Sequence, residues 1–199
     1  MAENRGYPVN LGVVMPYETD RWPFTKAKHF KKITGKRAVR LIVIHTMEAP
    51  EGHQTAENVA RYFAAGTAVA SAHVCIDNDS IVQCVFDNDV AYAAPGANHD
   101  GIQIELAGYA RQGVKEWMDD YSILMLTRAA DVVAQYCLKF SIPPTHLSNA
   151  DLAAGKKGII GHNQATAVYK KSTHTDPGSS FPWLFFMEAV KLFRVVRSK

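Results

Sequence analysis

The chain has 199 residues, 47% of them hydrophobic and 21% charged, with a formal net charge of +3. That length suits one domain with a full core, and that composition excludes a disordered chain. The positive balance is too weak to argue for nucleic acid but is compatible with an anionic polymer, and no apolar run reaches the roughly 18 residues needed to span a membrane.

Residues 1 to 36 are punctuated by Pro8, Pro16 and Pro23, with Tyr7, Tyr17, Trp22, Phe24 and Phe30 between them. Aromatic side chains favour burial, so this stretch reads as an irregular N-terminal arm packed on a main domain of residues 37–199. Its beginning lacks the charged-then-apolar pattern of a signal peptide, and synthesis in the cytoplasm is the expectation. Arg40-Leu41-Ile42-Val43-Ile44-His45 is short, apolar and β-branched, and reads as a buried strand. After a Pro50/Gly52 loop, Thr55 is expected to cap a helix to about Ala65, with Val59, Tyr62 and Phe63 as its apolar face and Gly66 ending it.

His73–Asp77 and Ile81–Phe86 read as two strands joined by the turn residues Asn78, Asp79 and Ser80. Ile102–Ala107 alternates apolar and polar residues, so it reads as a strand with Gln103 and Glu105 on one face. Ser122 opens the longest expected helix, to about Phe140, with Leu126, Ala129, Ala130, Val133 and Cys137 at helical period. Ile159-Ile160 is a short strand, and a last helix begins near Pro182 with Leu184, Phe185, Ala189, Leu192 and Phe193. Strands alternate with helices, which gives an α/β class: a single domain whose central mixed sheet is flanked by helices. The three cysteines, Cys75, Cys84 and Cys137, form no CxxC pair and read as reduced thiols in apolar elements.

Three residues stand out chemically. His45 ends the first strand, His162 follows the short Ile159-Ile160 strand, and Asp176 sits before Pro177-Gly178. Catalytic zinc takes three protein ligands and keeps a fourth position open, and imidazole and carboxylate both suit it. Spacing alone leaves these as a candidate His/His/Asp site, since any one of the histidines could equally be an ordinary hydrogen-bonded or surface residue.

Five segments in order, Ile42-Val43-Ile44-His45-Thr46, Ser71-Ala72-His73-Val74-Cys75-Ile76-Asp77, Ile102-Gln103-Ile104-Glu105-Leu106-Ala107-Gly108, Ile160-Gly161-His162 and Thr175-Asp176-Pro177-Gly178, span roughly residues 38–187. Together they resemble the zinc-dependent N-acetylmuramoyl-L-alanine amidases of the phage-lysozyme and peptidoglycan-recognition-protein superfamily. The resemblance implies one zinc ion held by His45, His162 and Asp176. It also implies a catalytic Glu105 that takes a proton from the attacking water, and His174 where many relatives carry a lysine, placed to stabilise an oxyanion. Asn98 is an expected substrate contact, and so is His73, for which a structural role at the strand start is the equal alternative. His29, His53, His99 and His146 read as surface histidines.

Two departures from the family pattern matter. Where some phage members have a catalytic tyrosine before the histidine of the second segment, this chain has Ala72, which shifts weight to Glu105. The tryptophan-histidine-alanine-glycine run of relatives is replaced by Tyr92-Ala93-Ala94-Pro95-Gly96. The implied reaction is hydrolysis of the amide between N-acetylmuramic acid and L-alanine of bacterial peptidoglycan by a zinc hydrolase. The expected agent is a monomeric phage or prophage endolysin that reaches the wall after release, with no nucleic-acid partner and no membrane insertion. A wall-recycling amidase acting on soluble muropeptides and a non-catalytic peptidoglycan-binding protein are the alternatives.

Overall fold

A computed structural model describes residues 22–198. The expected aromatic arm is therefore seen only from Trp22 onward, and its Tyr7, Pro8, Pro16 and Tyr17 lie outside the described residues. Seven strands and six helices follow among them: β1 (Phe30–Lys31), β2 (Leu41–Thr46), α1 (Thr55–Ala65), β3 (Val74–Ile76), β4 (Ile81–Gln83), β5 (Val90–Ala91), β6 (Gly101–Leu106), α2 (Val114–Trp117), α3 (Asp120–Lys139), α4 (Asn149–Ala153), β7 (Gly158–Gly161), α5 (His162–Tyr169) and α6 (Trp183–Arg197).

The main sheet has the order β4-β3-β6-β2-β7, and β1 pairs with β5 in a separate two-stranded ribbon. β2 lies between β6 and β7 and runs parallel to both. β3 is parallel to β6, and only the β3–β4 hairpin is antiparallel. This is the mixed-sheet α/β fold expected. β2 is buried along its whole length, as a strand covered on both faces must be. One face of the sheet carries Ile42, Ile44, Val74, Ile76, Ile102 and Ile104, packed against α3 and α6. On the other face α1 covers the β3–β4 side through Ala56, Ala60 and Phe63, near Cys75 and Val82. Ala165 of α5 covers the β2–β7 side, against Val43 and Ile160. The three thiols are free and buried.

The α3 face is as expected: Leu126, Ala129, Ala130, Val133 and Cys137 are all buried. Its cap is different. Asp119 accepts the Ser122 N–H, so the helix begins before Ser122. Thr55 does not cap α1 either. Its hydroxyl donates to the Pro50 carbonyl, while the first-turn N–H of Ala56 donates to Asp77 from the end of β3. Of the expected α1 face only Phe63 is core. Val59 is half-buried and Tyr62 is 48% exposed. On α6 the buried residues are Phe186, Met187 and Val190, whereas Leu184 and Leu192 face outward. That helix is apolar nearly all round, so spacing alone could not choose its inner face.

From Trp22 the chain lies along the β4 side. Trp22 packs at 6.0 Å from the Tyr136 ring, and Phe24 stacks on Phe86 at 4.5 Å. The backbone of Pro23, Thr25 and Ala27 exchanges hydrogen bonds with Gln83 and Cys84. No helix among the described residues is long and apolar enough to cross a membrane.

Candidate metal centre and catalytic groove

In parallel sheets, ligand sites form at the carboxyl ends of the strands. The strand order here brings three such ends side by side. His45 is paired in register with Glu105 on β6, and Ile44 is paired with Gly161, the residue before His162. His162 is the first residue of α5. Asp176 arrives from the last long loop, where its peptide bond to Pro177 is cis. The Asn163 N–H donates to the Asp176 carbonyl at 2.8 Å, which fastens that loop to α5. Gly178 has φ +92°, and a Cβ there would lie 1.9 Å from the Ala110 carbonyl oxygen, so the loop can pass only with glycine.

His45, His162 and Asp176 are buried together, each offering a ligand atom within 4.8 Å of the others. His45 Nδ1 is 3.1 Å from Asp176 Oδ2, and His162 Nδ1 is 3.2 Å from Oδ1. The second approach is misaligned for a hydrogen bond, and His162 Nδ1 is a buried nitrogen with no partner. Burial opposes charge on His45, but Asp176 and Glu105 outweigh it and raise its pKa to about 9. Burial also opposes charge on Asp176, yet the two neighbouring imidazoles, His162 and His45, hold its carboxyl well below the usual range. Burial lowers the His162 pKa, with His45 and His174 adding to it and Asp176 opposing. The cluster thus keeps an anionic carboxylate beside two imidazoles and stabilises positive charge between them. Two nitrogens and a carboxylate, one nitrogen unpartnered, fit a zinc-type cation.

Glu105 faces the same space. Burial pushes its pKa up to about 7, with His45 opposing and Asp176 and Glu48 reinforcing. Its Oε2 is buried without a hydrogen-bond partner. A carboxyl poised near neutrality with an unengaged oxygen is what general-base chemistry asks for. His174 is 64% exposed at its side chain, stacks on His162 with ring centroids 4.5 Å apart, and has Nδ1 3.5 Å from Asp176. It therefore roofs the cluster without being sealed into it.

These residues line a groove of about 670 Å³. Val59, Tyr62 and Phe63 of α1, with Val69 and Tyr92, form its apolar wall, and Asn98 is also in the lining. The Asn98 side-chain oxygen accepts the N–H groups of Ala93 and Ala94, so it shapes the loop that borders the groove. His73 is not brought to the groove. It is fully buried, its Nδ1 accepts the Gln103 N–H at 2.9 Å, and its Nε2 lies 3.1 Å from the Asp89 carbonyl. One ring nitrogen accepts and the other donates, so His73 is neutral, in keeping with a pKa that burial and then Arg37 drive far down. His146, expected at the surface, is half-buried, stacks on Trp183 at 3.7 Å and pairs with Gln164.

Two supporting residues escaped the sequence reading. Gln103 meets His45 Nε2 at 2.9 Å, and Ser172 meets His162 Nε2 at 3.2 Å. The one available signal was that Gln103 shares a strand face with Glu105. Ser172 had none, because its contact depends on how the last loop folds back on α5.

Residues 35–179 match the family model described as N-acetylmuramoyl-L-alanine amidase. No curated protein matches the chain in sequence. Among solved structures, the hydrolase AmiA of Staphylococcus aureus in complex with its ligand is similar with a TM-score of 0.66 at 13% identity, over 87% of this chain and 84% of that one. A mutant endolysin from Bacillus subtilis is similar with a TM-score of 0.57 at 14% identity, over 84% and 97%. The N-acetylmuramoyl-L-alanine amidase LysC from Clostridium intestinale is similar with a TM-score of 0.56 at 14% identity, over 87% and 99%. At these identities the likeness is one of fold.

Proposed function

The chain belongs to the N-acetylmuramoyl-L-alanine amidase family, and on that premise we propose that it is a zinc-dependent peptidoglycan hydrolase working as a phage or prophage endolysin. One observation carries the zinc reading: His45, His162 and Asp176 converge beside the unpartnered carboxylate oxygen of Glu105. His45, His162 and Asp176 would hold the zinc, which would supply Lewis-acid chemistry to the scissile carbonyl and the attacking water. Glu105 takes the proton of the attacking water and returns it to the leaving amine of L-alanine. His174 overhangs the cluster and donates an N–H to the oxyanion that develops on the carbonyl oxygen. The apolar wall from α1 offers the substrate a surface beside the candidate metal site. Tyr62 and Val69, 48% and 73% exposed, leave the groove accessible to an extended polymer, which supports a wall substrate.

The test is mass spectrometry of the products released from purified sacculi and from soluble muropeptides, with zinc content measured on the same preparation. Free stem peptides beginning with L-alanine from sacculi, and one zinc per chain, are expected. Cleavage confined to soluble muropeptides would replace the endolysin reading with a wall-recycling one. Protein without bound metal or activity would point to a non-catalytic binder.

A further inference from the structure

The side chain of Gln103 is fully buried and spans two groups of opposite demand. Its Nε2 donates to the Ala97 carbonyl at 3.0 Å, and its Oε1 lies 2.9 Å from His45 Nε2. A carbonyl oxygen only accepts, so the amide nitrogen must face Ala97 and the amide oxygen must face His45. An amide oxygen in turn only accepts, so His45 Nε2 must carry a proton. The lone pair of the neutral ring is then on Nδ1, the atom that faces Asp176. The backbone around Gln103 is held just as firmly. His73 accepts its N–H, the His73 N–H donates to its carbonyl, and Arg37 donates to the carbonyls of Asn98, His99 and Gly101. Gly101 leaves the room this needs, because a Cβ there would fall 2.4 Å from the Ala97 oxygen and 2.7 Å from Gln103 Nε2.

We propose that Gln103 is a positioning residue that selects the Nε2–H tautomer of His45 and thereby presents Nδ1 as the metal-binding atom. The inference rests on the metal reading of the His45, His162 and Asp176 cluster. The contrast with His162 sharpens it. Ser172, which meets His162 Nε2, has a hydroxyl that can donate or accept and is itself bonded to Thr166 at 2.5 Å, so it does not dictate a tautomer by its chemistry. Only the amide at position 103 has a fixed polarity, set by Ala97. Removing an outer partner of a metal-bound histidine typically weakens metal binding by roughly 10- to 100-fold.

The experiment measures zinc affinity by chelator competition on the wild-type chain and on Gln103→Leu. It also records the imidazole nitrogen spectrum of zinc-loaded wild-type protein labelled at histidine. The expected results are a roughly 10- to 100-fold weaker zinc affinity in the variant, and a wild-type His45 whose slowly exchanging proton sits on Nε2. Equal zinc affinity in a folded Gln103→Leu protein overturns the proposal. So does a wild-type His45 protonated on Nδ1 and metal-bound through Nε2, a result that needs no variant to fold. A wild-type chain that binds no zinc overturns the metal reading first and this inference with it, and the affinity measurement on wild type alone tells the two failures apart.

Discussion

Glu105 and His174 stand at the same opening with different proposed roles, and substitution should separate them. Glu105 lies inside, with one oxygen unpartnered, beside the ligand cluster without belonging to it. Glu105→Gln keeps the shape and removes the proposed base. Stem-peptide release from sacculi should fall by about 10²- to 10⁴-fold while metal analysis still finds one zinc per chain. His174 stacks on His162 from the solvent side. His174→Ala should lower kcat by about 10²- to 10³-fold, the usual cost of an oxyanion donor, with KM and zinc content nearly unchanged. A parallel loss of zinc would instead make His174 a ligand. At this scale His45, His162, Asp176 and Glu105, singled out from local motifs, are brought together by the fold, whereas His73, expected beside them, is buried elsewhere. The sequence reading missed Gln103 and Ser172, whose partners lie 58 and 10 residues away and are chosen by how the chain returns.

Among the elements, α1 depends on a distant residue. Asp77 is fully buried at the end of β3, and its carboxylate accepts the N–H groups of Ala56, Asp79 and Ser80. It thus caps α1 and closes the β3–β4 turn at once. Asp77→Ala strands three backbone donors, and at about 1 kcal/mol or more each it should cost about 2–4 kcal/mol in a denaturant titration. Because α1 carries the groove wall, the same variant should raise KM before it affects zinc binding. The helix itself was legible from Thr55 to Ala65 and from Gly66 at its end. Its role was not, since Val59 and Tyr62 look like core residues at helical spacing yet line a groove. An apolar stripe records that a surface is apolar, and says nothing of whether protein or substrate will cover it.

For the molecule as a whole, the candidate metal site is also a clamp. It joins the end of β2, the start of α5 and the last loop, across 131 residues between His45 and Asp176. Zinc at about 100 times its Kd should add about 2.7 kcal/mol of stability. Chelation should therefore lower the Tm by about 5–10 °C for a chain of this size, and Asp176→Ala should abolish that chelator-dependent shift in a thermal scan.

The amino-acid sequence by itself determined the elements and the candidate site residues. β2, β6 and α3 follow from short-range periodicity, and the resemblance carried by five short motifs singled out His45, Glu105, His162 and Asp176 as the candidate set. Only the tertiary structure decided which groups meet. The order β6-β2-β7 put Glu105, His45 and His162 in a row, sent His73 into the interior, turned Leu184 to solvent and aimed the Gln103 amide at His45. The reason is physical: a local pattern sets backbone conformation and the spacing of side chains along one face. Which face is buried, and against what, is settled by contacts between segments far apart in the chain.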